Sequence, residues 1–291
     1  VSAVADKYIS VLMIQAVLDV ECTAEYELCT GGESWRRQFD HSKSLIEAHN
    51  PDIVIYPETF YLSESAAEFE ELSNGRLIVA GSTYVDKQNE TIVFQDGKIH
   101  RILKNNPSPL EIASRYMPYQ TFDSLIDEGL WNEGAHIFKV KGEDVLVLNC
   151  MEYYNSAYFI SRSKKYNSNL FGILCPCSSS NMSLFEQETI AINNHREDVY
   201  TFLCNRISPK GKSTTKGGSY IYGMISRIEK DFIRQMYSGY KLEHICGIVK
   251  LGSDPTWVYG EYAIPEGVSP FGRSDRFMRT PMNLTVSGLN H

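Results

Sequence analysis

Continuous apolar runs, rather than strict alternation, mark the strand-like segments of this chain. Residues 8–17 (YISVLMIQAV), 52–56 (DIVIY), 77–84 (LIVAGSTY), 144–149 (DVLVLN), 170–175 and 200–206 combine β-branched or aromatic residues with few charges. That is the pattern of strands buried on both faces. Between them lie segments with apolar residues near helical spacing. Residues 34–49 carry Trp35, Phe39, Leu45 and Ile46 and stop at Asn50-Pro51; residues 66–73 end at Asn74-Gly75; residues 157–166 and 184–198 follow. Residues 91–94 and 98–103, joined through Gln95-Asp96-Gly97, predict a hairpin with an Asp-Gly turn. Residues 136–140 and 144–149 predict a second strand pair around Lys141-Gly142, Pro176 closes the strand at 170–175, and 219–222 is a further strand. The alternation predicts an α/β layered fold with helix-covered sheets. From Pro255 onward Gly and Pro become frequent. The reading is therefore a main domain over 1–254 and an irregular, surface-bound extension over 255–291 that packs on the domain or on a neighbouring subunit.

Composition narrows the class. Over 291 residues, 43% are hydrophobic and 22% charged, as in a globular protein with a sizeable core. A net charge of −8 argues against nucleic acid as a partner of this domain, because phosphate binding needs a basic face. No apolar run reaches the roughly 18–20 residues of a membrane span, and residues 1–15 lack the basic start and cleavage site of a signal peptide. Seven Cys without framework spacing read as reduced thiols of a cytoplasmic protein. The first residue is Val, so the chain is expected to be processed or to be a domain of something longer.

Three chemically distinct side chains fall at strand exits, where α/β folds place reactive groups. Glu58 follows DIVIY-Pro57, Lys104 ends KIHRIL, and Cys150 ends DVLVLN. A thiol needs a base to become a nucleophile, and an ammonium lowers its pKa and holds a developing oxyanion. Together the three types suffice for acyl transfer. Singly, each has an ordinary reading: a small buried hydrophobe, a helix-start charge, a solvated lysine.

The surrounding words decide between these readings. IVIYPETFY at 53–61, DGKIHRILKNNPSPLE at 96–111 and VLVLNCMEYYN at 145–155 resemble, in order, the three catalytic motifs of the nitrilase superfamily. LIVAGSTY, His195-Arg196-Glu197-Asp198, Asn205 and Gly217-Gly218-Ser219 extend the resemblance over about residues 8–225. The resemblance implies a four-layer α-β-β-α sandwich and hydrolysis of a non-peptide carbon–nitrogen bond, in an amide, carbamoyl or nitrile, through a covalent thioester-type intermediate. It implies Glu58 as general base, Lys104 as catalytic lysine and Cys150 as nucleophile. Glu111, Met151, Glu152 and Tyr154 then position the substrate, Met151 through its backbone N–H; the residue pattern alone leaves Glu111 equally readable as a helix-start charge before residues 112–116. No metal or organic cofactor is required. One departure stands out: the Asp-x-Arg-x-Pro usual after the nucleophile is Glu152-Tyr153-Tyr154-Asn155-Ser156 here, which leaves the substrate open. The alternative is a nitrilase-like binding, oligomerisation or regulatory module of a larger protein, for example a phage-defence reverse transcriptase, with little or no turnover.

Two other patterns are set aside. Lys210-Gly211-Lys212-Ser213-Thr214 is similar to a phosphate loop, but Arg206 stands where that loop needs Gly. Cys175-Pro176-Cys177 has no His or Cys at zinc spacing nearby in sequence and reads as packing. Cys22, Cys29, Cys204 and Cys246 are expected to be unreactive. Cys150 is expected to be the most reactive thiol, its pKa depressed by Lys104.

Tyr153, Tyr154, Tyr158, Phe159 and Tyr166 are too many aromatics for one core-facing helical stripe, and aromatics are enriched at interfaces. With the family resemblance, this predicts a homodimer or larger homo-oligomer built on residues 157–166 with help from the tail. Light scattering at micromolar concentration is expected to give at least twice 33.1 kDa; a concentration-independent monomer mass would exclude the assembly.

Overall fold

The computed structural model describes residues 7–22, 27–85, 88–104, 136–155, 170–195, 199–209, 215–223, 247–264 and 281–290. The first half supplies strands β1 (Tyr8–Gln15), β2 (Val20–Cys22), β3 (Glu27–Cys29), β4 (Ile53–Ile55), β5 (Leu77–Val85), β6 (Gln88–Gln95) and β7 (Lys98–Leu103), with helices α1 (Gly32–His49) and α2 (Ala66–Leu72) between them. The second half supplies β8 (Ile137–Val140), β9 (Glu143–Val147), β10 (Leu170–Cys177), helix α3 (Ser183–His195), β11 (Tyr200–Asn205), β12 (Tyr220–Tyr222), β13 (Gly247–Lys250), β14 (Thr256–Ala263) and β15 (Met282–Gly288).

Two large sheets result. One has the order β15-β14-β1-β4-β5-β6-β7, the other β13-β12-β11-β10-β9-β8. Side-chain alternation along β1 shows why both faces of the first sheet are apolar. Ile9, Val11 and Met13 enter the core shared with the second sheet, whereas Leu12 and Ile14 pack with Trp35, Phe39 and Ile46 of α1 and Phe69 of α2. The sheets meet face to face: Tyr262 of β14 lies 5.2 Å and 5.0 Å from Tyr200 and Phe202 of β11, ring centre to ring centre. With α3 packing through Phe185 and Ile192, the layers run α-β-β-α, as the family resemblance implies.

The central strands are parallel. β1 runs with β4, β4 with β5, β9 with β10 and β10 with β11. The loops after β4 and β9, which carry Glu58 and Cys150, therefore open from carboxyl ends of parallel strands. Buried amides tie the ends of these strands. Gln15 Nε2 donates to Gly252 O and Asp254 O at 2.9 and 2.8 Å while its Oε1 accepts from Ser219 N at 2.8 Å. Asn205 Nδ2 donates to Ser179 O and Gly217 O.

Two expectations are corrected. The tail after Pro255 is not irregular throughout. β14 pairs with β1 over eight residues, Tyr8↔Ala263 to Gln15↔Thr256, and β15 adds the sheet edge. Its strand residues Trp257, Val258, Tyr259 and Tyr262 are buried, so apolar burial outweighs the Gly and Pro content. Nor does Pro176 close its strand: β10 runs through it to Cys177, with Pro176 opposite Cys204 and Cys177 opposite Asn205 of β11. Pairing with β9 ends at Leu174↔Val147, so the missing proline N–H costs no ladder bond on that side. The predicted helix at 157–166 lies outside the described residues.

β5 departs from regular pairing between Val79 and Ser82, and Gly81 there has φ +97°. A Cβ at Gly81 would sit 2.3 Å from the carbonyl oxygen of Pro57, in the loop that presents Glu58. Gly81→Ala is expected to cost at least about 2 kcal/mol, read as a lower urea midpoint. An unchanged midpoint would show that the loop does not need this close approach.

Candidate active site

β4 is short and fully buried, and Pro57 ends it, so the chain turns immediately at Glu58. The next residue, Thr59, is held at φ +66°, a region a β-branched residue enters only under constraint. Its N–H donates to Ser82 Oγ at 3.3 Å, so the irregular stretch of β5 grips the Glu58 loop from below. The Glu58 carboxylate is buried. Its Oε1 accepts from Lys104 Nζ at 3.3 Å and from Asn89 Nδ2 at 3.0 Å.

Lys104 reaches this point from the end of β7. Its backbone N–H still donates to Asn89 O of β6 at 2.8 Å, which fixes where the side chain departs. The lysine is only 1% exposed. A lysine this deep stands opposite a carboxylate because an unpaired ammonium pays the full desolvation cost.

Cys150 approaches from the other sheet. After β9, Leu148 N still donates to Leu174 O at 3.0 Å. Cys150 then adopts φ +47° and opens a 3-10 turn, Cys150–Asn155. Glu152 closes that turn on itself: its Oε2 accepts from Asn149 N at 2.9 Å and its N–H donates to Asn149 O at 3.0 Å. The positive φ turns the thiol out of the strand direction, and both the Glu58 carboxylate and the Lys104 ammonium act on it electrostatically.

The expected depression of the Cys150 pKa is overturned. Complete burial pushes the thiol well above its ordinary value, and the Glu58 charge pushes it further; the Lys104 ammonium and a hydrogen bond from the Ser178 backbone pull it down but do not prevail. The resting side chain is therefore a neutral thiol beside a carboxylate. Cys29, pushed up to about 11 by burial, and Cys204, raised by burial, are neutral as well.

Among the residues expected to position a substrate, Glu111 lies outside the described residues. Met151 is partly buried against the inter-sheet core. Glu152 is engaged in the turn just described. Half-buried Tyr154 packs 4.9 Å from Phe185, and its hydroxyl is pushed up by burial and by the neighbouring Cys150, Cys177 and Cys175 thiols. Tyr153 is wholly buried, with its hydroxyl 2.6 Å from Thr189 Oγ1. Cys175 and Cys177 stand with their sulfurs 3.5 Å apart, and Cys175 Sγ lies 3.9 Å from Cys150 O.

Two residues not singled out in the sequence complete the arrangement. Asn89 contacts Glu58, and Asn149 Nδ2 donates to Asn89 Oδ1 at 3.2 Å. A hydrogen-bonded chain thus runs from the base loop of one sheet to the residue before the thiol of the other. The available signal was an Asn at the end of each of two apolar contexts, at the start of ETIVF and the end of VLVL.

The two-sheet sandwich is a fold shared with solved carbon–nitrogen hydrolase structures. A CN-hydrolase superfamily protein from Xanthomonas campestris with an arsenic adduct in its active site superposes with a TM-score of 0.57 at 12% identity, over 88% of this chain and 90% of that one. A mutant amidase from Nesterenkonia sp. AN1, carrying acrylamide added to its active-site cysteine, gives 0.53 at 11% identity, over 86% and 92%. The glutamine-dependent NAD+ synthetase of Acinetobacter baumannii gives 0.53 at 14% identity over 94% of this chain but only 47% of that one. No family profile and no curated protein matches the sequence.

The opposing effects of Glu58 and Lys104 on the thiol yield a signed expectation. Glu58→Gln removes the charge that raises the Cys150 pKa and leaves the one that lowers it. The ultraviolet thiolate titration, taken as the difference from Cys150→Ala, is expected above pH 9 in the wild type and at lower pH in Glu58→Gln. A shift to higher pH would show that the two charges do not act on this thiol.

Proposed function

We propose that this protein hydrolyses a non-peptide carbon–nitrogen bond, with Cys150 as nucleophile, Glu58 as general base and acid, and Lys104 as oxyanion partner. The observation that carries the reading is the buried Lys104–Glu58 contact at 3.3 Å with both charges acting on a buried thiol. An active-site arsenic adduct in one structure of the same fold and acrylamide added to the active-site cysteine of another support it.

The neutral thiol sets the order of events. Glu58 takes the Cys150 proton as the sulfur attacks the electrophilic carbon, so no free thiolate accumulates. The carbon–oxygen double bond opens to an oxyanion held by Lys104 and the Met151 backbone N–H. Collapse expels the amine, which carries away the proton from Glu58 and leaves a thioester. Glu58 then draws a proton from water, whose oxygen attacks the thioester; the carboxylic acid leaves and the thiol is restored.

A second reading is a binding or regulatory module within a larger protein. It is favoured by the NAD+ synthetase match, in which the shared fold is less than half of the chain. Turnover separates the two. Ammonia release from a panel of short primary amides is expected for the wild type, and Cys150→Ala is expected to lower kcat at least about a thousandfold. Equal rates in the two proteins would remove Cys150 from the mechanism; absence of ammonia with every amide would favour the module.

A further inference from the structure

The chain of amides between Glu58 and Asn149 has a direction that hydrogen-bond chemistry alone dictates. A carboxylate only accepts. Asn89, with its side-chain amide 3.0 Å from Glu58 Oε1, must present its NH2 there and point its Oδ1 the other way. That Oδ1 is 3.2 Å from the amide of Asn149, which must present its own NH2 in turn. Asn149 is therefore left with an oxygen to satisfy, and among the described residues Asn149 Oδ1 has no hydrogen-bond partner although the residue is 1% exposed. The backbone of Asn149 is already occupied, its N–H and C=O both bonded to Glu152, so the turn cannot rotate the acceptor into contact with its own peptide.

A buried acceptor without a donor is costly, and persistent cases mark places where a water or ligand completes the bonding. This one belongs to the residue directly before Cys150 and is tied through Asn89 to Glu58. Thr59 Oγ1 is likewise unpartnered, but a hydroxyl both donates and accepts, so it selects no ligand polarity. An amide oxygen selects a donor.

We infer that Asn149 Oδ1 accepts a hydrogen bond from the N–H of the bound substrate, which makes the substrate class a primary amide or carbamoyl compound and disfavours a nitrile. The inference rests on the reading of Cys150 as the nucleophile. An amide or carbamoyl NH2 supplies the missing donor; a nitrile nitrogen has no hydrogen and leaves the acceptor buried and unmet. Sites built to hydrogen-bond a substrate NH reject analogues that lack it more strongly than apolar pockets discriminate by size.

Two small alkylating agents test this without knowledge of the acyl group. Iodoacetamide carries the amide NH2 and iodoacetonitrile does not, while both alkylate sulfur by the same displacement of iodide. The rate of Cys150 modification by each is followed by peptide mass spectrometry, and the amide-to-nitrile ratio is compared with that of free glutathione. The wild-type ratio is expected to exceed the glutathione ratio by about tenfold, the scale of one hydrogen bond. Asn149→Leu is expected to lose that preference, its amide-to-nitrile ratio falling to that of glutathione whatever its absolute rate with either reagent. A wild-type ratio no higher than that of glutathione overturns the inference even if the leucine variant does not fold. So does a leucine variant slowed equally toward both reagents. Failure of the nucleophile reading shows separately, as equal amide turnover by the wild type and Cys150→Ala.

Discussion

The buried contact between Lys104 and Glu58 constrains everything around it. Each charge is withdrawn from water, and each is tolerable there only because the other is present; removing one partner of such a pair typically costs about 3–5 kcal/mol. The pair spans the first sheet from the end of its central strand β4 to its edge strand β7, with Asn89 of β6 adding a neutral donor to the same carboxylate oxygen. The irregular stretch of β5, the glycine at its bend and the strained Thr59 are the backbone means of keeping that carboxylate in place.

The thiol belongs to the opposite sheet, so the site exists only when the two sheets are docked. Their shared core, which includes Cys150, Cys175, Cys177 and Cys204 among its aliphatic and aromatic residues, is thus both the main hydrophobic contact and what sets the thiol opposite the Lys104–Glu58 pair. Burial in that core holds Cys150 in its neutral form. A neutral thiol with an adjacent carboxylate is protected against indiscriminate oxidation and alkylation, whose rates follow thiolate content.

Much of this was legible in the amino-acid order because buried parallel strands read as long apolar runs and the reactive residues interrupt those runs at their ends. The helix at Gly32–His49 and the hairpin around Asp96-Gly97 were legible for equally local reasons, a helical stripe with a proline stop and a turn dipeptide. What stayed hidden depends on distant neighbours. Asn89 and Asn149 are sixty positions apart, and nothing in either context announces a shared hydrogen bond. The sign of the Cys150 shift depends on how burial and Glu58 compare with Lys104, which spacing does not encode. In TWVYGEYA, Gly and Pro in the surrounding tail concealed a strand whose partner lies at the opposite end of the chain. Pro176 was misread because the harm a proline does depends on which side of the ladder is still paired.

The pairing of β1 with β14 sets residue 8 against residue 263. Contacts of such sequence separation slow folding, since a long loop must close before they contribute. During synthesis β1 waits for its partner while the intervening residues 16–255 are made, at a pace of roughly 5–20 residues per second. During that interval one side of an eight-residue apolar strand is an unpaired edge, the kind of surface on which chains associate wrongly. The sheet that carries the buried Lys104–Glu58 pair is therefore also the sheet whose completion is most delayed, and its yield in the cell is expected to depend on holdase chaperones more than its final stability suggests.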